Sequence, residues 1–189
     1  MRVVAGKFRG RILNFVSDSA TRPTADVVKQ ALFTKLQFEF PMGNVLDLFA
    51  GSGSLGIEAL SRGAERVFFV EKQAKNCKII EENLKNLKIT YEKNNLQTKK
   101  EAALVFGDFL DFLKNVNVKF DLILIDPPYE SNFYTEALEI IYEYKLLSEN
   151  GHIVLEHDEK KVIEVKNFNI ISEKKYGKRR LTFLTNKGI

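Results

Sequence analysis

With 189 residues, 44% of them hydrophobic and 29% charged, the chain is long enough for one domain with a sizeable core and short for two. No run approaches the ~20 apolar residues that span a bilayer, and Met1–Lys7 lacks the apolar stretch of a signal peptide, so a cytoplasmic protein without a membrane partner is expected. A lone Cys77 excludes a disulfide framework, and no Cys/His cluster marks a metal site.

The net charge of +4 is unevenly laid out. Residues 1–40 carry seven Lys/Arg against three acids, and residues 174–189 carry six Lys/Arg and no acid, which leaves a net-acidic body between them. Basic ends on an acidic body fit a protein that grips phosphates from its edges; solvated charge at the ends fits equally well.

In chain order, residues 1–23 read as a basic, β-hairpin-like extension, with β-prone runs Arg2–Ala5 and Arg11–Val16 separated by Gly6 and Gly10. Residues 24–189 read as the main domain. Thr24 is placed to N-cap a helix whose apolar positions Val27, Val28, Ala31, Leu32 and Leu36 follow a 3.6-residue period. Strand and helix then alternate. Strands are predicted at Val45–Phe49, Arg66–Val70, Ala103–Phe106, Phe120–Ile125 and Gly151–Glu156, with helices at Leu55–Arg62, Ala74–Leu87, Phe109–Leu113 and Phe133–Tyr144. Two last strands, Phe168–Ser172 and Arg180–Thr185, have no helix between them and predict an antiparallel hairpin around Gly177. The pattern predicts an α/β fold with a mainly parallel, seven-stranded sheet and helices on both faces. Phe49, Phe68, Phe69 and Phe106 read as core, and His152 and His157 as structural or solvent-facing.

In such a sheet, ligands bind beyond the carboxyl ends of the strands, where strand order reverses. The first strand runs into Asp47-Leu-Phe-Ala-Gly51-Ser-Gly53-Ser-Leu-Gly56, a Gly-x-Gly-x-x-Gly turn opening a helix, and Glu71 ends the next strand. Glycines allow close backbone approach, and a carboxylate at that place can accept both ribose hydroxyls of a nucleoside. Asp47 leans toward S-adenosylmethionine over NAD, because Asp-x-Phe-x-Gly-x-Gly resembles the first motif of class I methyltransferases. Asp108, after the third strand, is placed to meet an adenine amino group or to N-cap the next helix, and the two readings are compatible.

The strongest strand ends in Asp126-Pro127-Pro128-Tyr129. Two prolines fix the turn and aim its carbonyls. An exocyclic base amine is a poor nucleophile because its lone pair is delocalised into the ring. If the Asp126 carboxylate and the Pro127 carbonyl accept its two N–H bonds, the lone pair is turned toward an incoming methyl group. Tyr129 offers a face for the target base to stack on.

These residues resemble the RsmD family of bacterial enzymes that methylate a guanine N2 in small-subunit ribosomal RNA. The resemblance runs through Arg2-Val-Val-Ala-Gly6, Arg9-Gly-Arg11, Thr21-Arg-Pro-Thr24, Ala31-Leu-Phe33, Leu46–Gly56, Leu60–Ala64, Asp126–Tyr129 and Tyr176–Leu181. It implies cofactor contacts from Asp47, Gly51, Gly53, Glu71 and Asp108, with the helix start at Thr24 holding the methionine carboxylate. Gln30, Thr34 and Lys178 depart from the family pattern. Lys7, Arg9 and Arg11, with Lys178, Arg179 and Arg180, are expected to clamp 16S RNA, within the small subunit or an assembly intermediate, by a monomeric enzyme. An adenine-N6 or protein-amide methyltransferase, an NAD-dependent oxidoreductase and a non-catalytic RNA-binding module are the competing readings.

Overall fold

The apolar runs of the sequence lie side by side in one sheet. β1 (Asn44–Asp47), β2 (Arg66–Glu71), β3 (Tyr91–Lys93), β4 (Ala102–Phe106), β5 (Phe120–Ile125) and β6 (Leu147–Asp158) form its parallel part. β7 (Phe168–Tyr176) and β8 (Arg179–Asn186) close it antiparallel, in the order β3-β4-β2-β1-β5-β6-β8-β7. The helices are α1 (Pro23–Lys35), α2 (Ser54–Ser61), α3 (Ala74–Asn86), α4 (Phe109–Asn115) and α5 (Phe133–Glu143). This computed structural model describes residues 1–15, 23–128 and 132–187, without the side chains of residues 23–25. The predicted Tyr129 and the Thr24 side chain therefore lie outside the described residues, as does the end of the run reaching Val16.

The sheet's period of two divides the core. Val45, Phe69, Leu122, Leu124 and Val154 face one way, onto Val28, Leu32, Ile57, Ile80 and Leu84 of α1–α3. Leu46, Phe68, Ile123, Ile125 and Ile153 face the other way, onto Phe112, Leu113, Ala137 and Ile141 of α4 and α5. Phe68 and Phe69, neighbours in sequence, each fill an opposite layer. Full burial of such a side chain contributes about 1.5–3 kcal/mol.

Two expectations need correction. The sheet has eight strands among the described residues, because Tyr91–Lys93 pairs with Ala102–Leu104. Tyr-Glu-Lys carries no apolar alternation, and only its neighbour makes it a strand. Phe106, read as core, is 56% exposed. It ends β4, where its amide donates to Asn94 Oδ1 at 3.0 Å while its ring stays open.

Within the described residues the amino-terminal segment pairs back on itself in hairpin fashion, the Val3 and Leu13 amides donating to the Arg11 and Met1 carbonyls at 3.0 Å each. One antiparallel bridge, Arg2 to Ile12, closes it, and its interior faces α2. The Glu58 carboxylate accepts hydrogen bonds from the Val4 and Ala5 amides at 2.7 and 3.0 Å. It also pairs with Arg62 at 2.9 Å and Lys29 at 3.7 Å while itself fully buried. Gly6 has φ +80°, and a Cβ there would sit 1.8 Å from the Ser61 carbonyl oxygen, so only glycine fits. Val3, Phe8 and Leu13 join the α1–α3 layer of the core.

Glu58→Ala removes the buried carboxylate shared by the Lys29 ammonium, the Arg62 guanidinium and the Val4 and Ala5 amides, while Lys29 keeps the Arg2 carbonyl and Ser54 Oγ. We expect a loss of about 3–5 kcal/mol in urea unfolding, with the amino-terminal amides exchanging hydrogen first.

Candidate active site

Directly after β1 the chain must turn from sheet into helix within a few residues. Gly51 and Gly53 make that turn at φ +55° and +77°, values that side-chain-bearing residues rarely adopt. Gly53 caps α2 through its backbone. Gly56 brings the helix so close to β2 that a Cβ would meet the Phe69 ring at 2.3 Å. Asp47 sits behind the turn, buried, and its Oδ2 accepts the Gly56 amide at 2.9 Å. It does not line the cavity in front. Burial pushes the Asp47 carboxyl up to about 7, against the Gly56 hydrogen bond, with Asp126 and Glu71 adding repulsion.

In front of the turn lies a cavity of about 360 Å³, lined by Gly51, Glu71, Asp108, Phe49, Asp126 and Arg179 among others. It occupies the crevice at the carboxyl ends of β1, β2, β4 and β5, where strand order reverses between β1 and β5. Glu71 accepts the Gly51 amide at 2.8 Å through one oxygen and the Gln73 amide at 2.7 Å through the other. Each oxygen keeps a second lone pair for a hydroxyl. Asp108 divides its carboxylate. One oxygen caps α4 by accepting the Leu110 amide at 2.9 Å, and the other meets Lys72 at 3.2 Å. Phe49, Phe109 and Phe133 form an aromatic wall, with Phe49 and Phe133 stacked at 5.9 Å and 8°.

Asp126 follows β5, a strand hydrogen-bonded on both sides, and the buried Pro127 stiffens what comes after. Arg179 approaches from β8, with Nη1 3.9 Å from Asp126 Oδ1 and Nε 3.6 Å from Glu156 Oε1. Burial pushes both carboxyls above the ordinary range, Glu156 further through repulsion from Asp126, and Arg179 pulls both back. Because 35% of the Asp126 side chain stays open, its loss of water is that of a cleft and smaller than that of a sealed interior.

The basic residues predicted to bind RNA are dispersed by local geometry. Lys7, Arg9 and Arg11 are exposed on the docked amino-terminal segment. Lys7 lies 3.9 Å from Glu101, and Arg11 donates to the Asn86 carbonyl at the end of α3. The run Lys178-Arg179-Arg180 is split by strand alternation. Lys178 is exposed in the β7–β8 turn, Arg179 enters the cavity, and Arg180 lies on the opposite face, 3.7 Å from Glu173. His157 bridges Thr182 and the Asp158 carbonyl, both at 2.9 Å, inside the sheet. Sequence reasoning missed Glu156. Its signal was a charged residue closing the apolar run Ile153-Val154-Leu155.

A buried carboxyl whose folded pKa exceeds its unfolded value costs stability as pH rises between the two. Asp47 therefore lowers stability from about pH 4 to about pH 7. The stability of Asp47→Asn relative to the parent should rise between pH 5 and pH 8, read by thermal unfolding at both.

Residues 1–185 match the family described as conserved hypothetical protein 95. The "Putative rRNA methyltransferase YlbH" of Bacillus subtilis is 41% identical over 158 residues, covering 84% of this chain and 83% of its own. Ribosomal RNA small subunit methyltransferase D of Haemophilus influenzae is 36% identical over 180 residues, covering 94% and 89%. The crystal structure of a "putative methylase" from Haemophilus influenzae superposes with a TM-score of 0.79 at 32% identity, over 99% of this chain and 98% of that one. S-adenosylmethionine is the cofactor of this class of fold. The cavity fits such a group: a glycine turn that leaves room at Gly51, a carboxylate at Glu71 with lone pairs to spare, and an aromatic wall. The chain belongs to the conserved hypothetical protein 95 family, the RsmD family of methyltransferases, and has the class I S-adenosylmethionine-dependent methyltransferase fold.

Proposed function

We propose that this protein transfers a methyl group from S-adenosylmethionine to the exocyclic N2 of a guanine in 16S ribosomal RNA. The observation that carries this reading is the Asp126 carboxylate on the wall of the same cavity that Gly51 and Glu71 line. The methyltransferase names of its relatives agree with it.

Bound S-adenosylmethionine supplies an electrophilic methyl group on a sulfonium. The chain's residues do the rest. Glu71 accepts the ribose hydroxyls, Gly51 and Gly53 bring the backbone close, and Asp108 meets the adenine amino group. Asp47 holds the glycine turn from behind through Gly56. The start of α1 at Thr24 turns free amides toward the methionine carboxylate. Asp126 and the Pro127 carbonyl accept the two N–H bonds of the guanine amine, which turns its lone pair toward the methyl group. Tyr129 stacks on the target base after it leaves its helix or loop. The surplus proton goes to Asp126 or to water.

Residues 1–23, as a basic extension, place Lys7, Arg9 and Arg11 beside the RNA, with Lys178 and Arg180 opposite. The substrate is the small ribosomal subunit or an assembly intermediate, met in the cytoplasm by a monomer. Among the described residues, no helix is long and apolar enough to cross a membrane.

Radiolabelled methyl transfer to unmodified small subunits, followed by nucleoside analysis, tests the reading. Label is expected in N2-methylguanosine, with kcat reduced about 10²–10³-fold in Asp126→Ala. Label in N6-methyladenosine would overturn the guanine assignment and keep the amine chemistry. Reversing Arg9 and Arg11 to Glu should weaken RNA binding and reduce the salt slope by about 0.7–0.9 for each phosphate that is no longer neutralised. An unchanged slope would remove the clamp.

A further inference from the structure

We propose that Arg179 and Glu156 are positioning residues for Asp126: Glu156 anchors the Arg179 guanidinium, and Arg179 holds the Asp126 carboxylate charged and turned into the cavity. This inference rests on the reading of Asp126 as the acceptor for the target amine.

The arrangement follows from strand register. β6 and β8 pair antiparallel, with Glu156 opposite Leu181 and Asp158 opposite Arg179. Opposed residues share a face, so Glu156 and Arg179 are diagonal neighbours on one side of the sheet, within reach of a long side chain. Asp126 continues β5, the strand on the other flank of β6. Three adjacent strands thus deliver carboxylate, guanidinium and carboxylate to one place.

Two nitrogens of a single guanidinium face the two acids, Nη1 toward Asp126 and Nε toward Glu156. Such a planar fork can serve two carboxylates at once; an ammonium is a point charge and cannot hold that geometry. Arg179 lines the cavity, whereas Glu156 is not among the residues lining it, so Glu156 acts from behind. The separations of 3.9 and 3.6 Å are ion-pair distances longer than hydrogen bonds. The guanidinium therefore balances the charge of Asp126 without occupying the lone pairs that the amine needs.

The surrounding charges make that balance necessary. Asp126 faces Arg179 from β8, Glu156 from β6 and Asp47 from β1, whose own carboxyl it pushes upward. Around the same cavity stand Glu71 at the end of β2 and Asp108 after β4, the latter paired with Lys72. Carboxylates outnumber cations there. A neutral Asp126 keeps one full acceptor oxygen and offers a hydroxyl where the amine presents its own N–H. Loss of the guanidinium favours that neutral form. Although Arg179 belongs to a basic run, its head is turned toward two acids, unlike the exposed Lys178.

The test is the pH dependence of kcat/KM for methyl transfer to small subunits, from pH 5 to pH 9. It compares the parent with Arg179→Ala, Arg179→Lys and Glu156→Gln, each checked for folding by circular dichroism and for S-adenosylhomocysteine binding by calorimetry. In Arg179→Ala the acidic limb should move up by about one pH unit or more. That is about a tenfold loss near pH 6, recovered toward pH 9, with KM for the RNA little changed. Arg179→Lys keeps the charge and should restore the limb in part. Glu156→Gln removes the charged anchor and should move the limb up, in the same direction as Arg179→Ala but by less; a limb that stays in place or moves down would remove the anchoring role. A raised KM with an unmoved limb in folded Arg179→Ala would make Arg179 an RNA contact and overturn the proposal. Asp126→Ala, which leaves no acceptor oxygen at this place, separates the two levels. If it retains parental activity, the amine-acceptor reading falls and this proposal with it. If it is inactive while the limb of Arg179→Ala stays in place, only the positioning role falls.

Discussion

The pairing of β1 with β5 is the constraint on which the site depends. These two strands are parallel and hydrogen-bonded from Val45–Leu122 to Asp47–Leu124. The chain nevertheless leaves them toward opposite halves of the sheet, with β2, β4 and β3 on one side and β6, β8 and β7 on the other. Connections that depart in opposite directions cannot cover the ground between them, so a crevice opens at the strand ends. The glycine turn after Asp47 and the rigid turn after Ile125 face each other across it. Both layers of the core, packed on opposite faces of the same strands, keep those two ends in register. Loss of a few methylenes from either layer would be felt at the turn, because packed interiors transmit strain.

The charge in that crevice is costly, and its distribution shows how the cost is met. Five acids, Asp47, Glu71, Asp108, Asp126 and Glu156, gather around a half-enclosed space. Backbone amides hold both oxygens of Glu71 and one oxygen each of Asp47 and Asp108. Asp126 and Glu156 share Arg179. The groups tied to amides hold the chain's own turns in shape. The pair that faces the Arg179 guanidinium stands where charge must be available to a ligand. Perturbed acids that cluster in one cleft mark chemistry more often than they mark stability.

At the amino terminus the same physics is used structurally. Glu58 is fully buried, and it is tolerated because two amides, Arg62 and Lys29 surround it. Lys29 in turn reaches the Arg2 carbonyl at 2.6 Å and Ser54 Oγ at 2.9 Å, which links α1, the first residues and the start of α2. The basic side chains Lys7, Arg9 and Arg11 thus project from a segment held firmly against the helix that follows the glycine turn. A clamp built on that segment would be positioned by the same helix that shapes the cofactor side of the site.

The sequence alone determined the parallel α/β architecture, because long apolar runs and 3.6-residue periods are local signals that burial rewards wherever they occur. It also placed Gly51, Glu71, Asp108 and Asp126 at strand ends, and in an open sheet strand ends share one edge. The tertiary structure decided what depends on neighbours distant in the chain. Tyr91–Lys93 is a strand only because β4 offers it an edge, and Phe106, apolar and at a strand end, nevertheless stands exposed. Asp47 was legible as a motif residue, yet its place behind the turn follows from the Gly56 amide folding back onto it. The basic run at 178–180 read as one patch, whereas alternation across a sheet sends adjacent side chains to opposite faces. Glu156 and Arg179 stand 23 positions apart in sequence. They meet at Asp126 through the register of three strands, and register is fixed by the burial of whole faces and by no motif within a single strand.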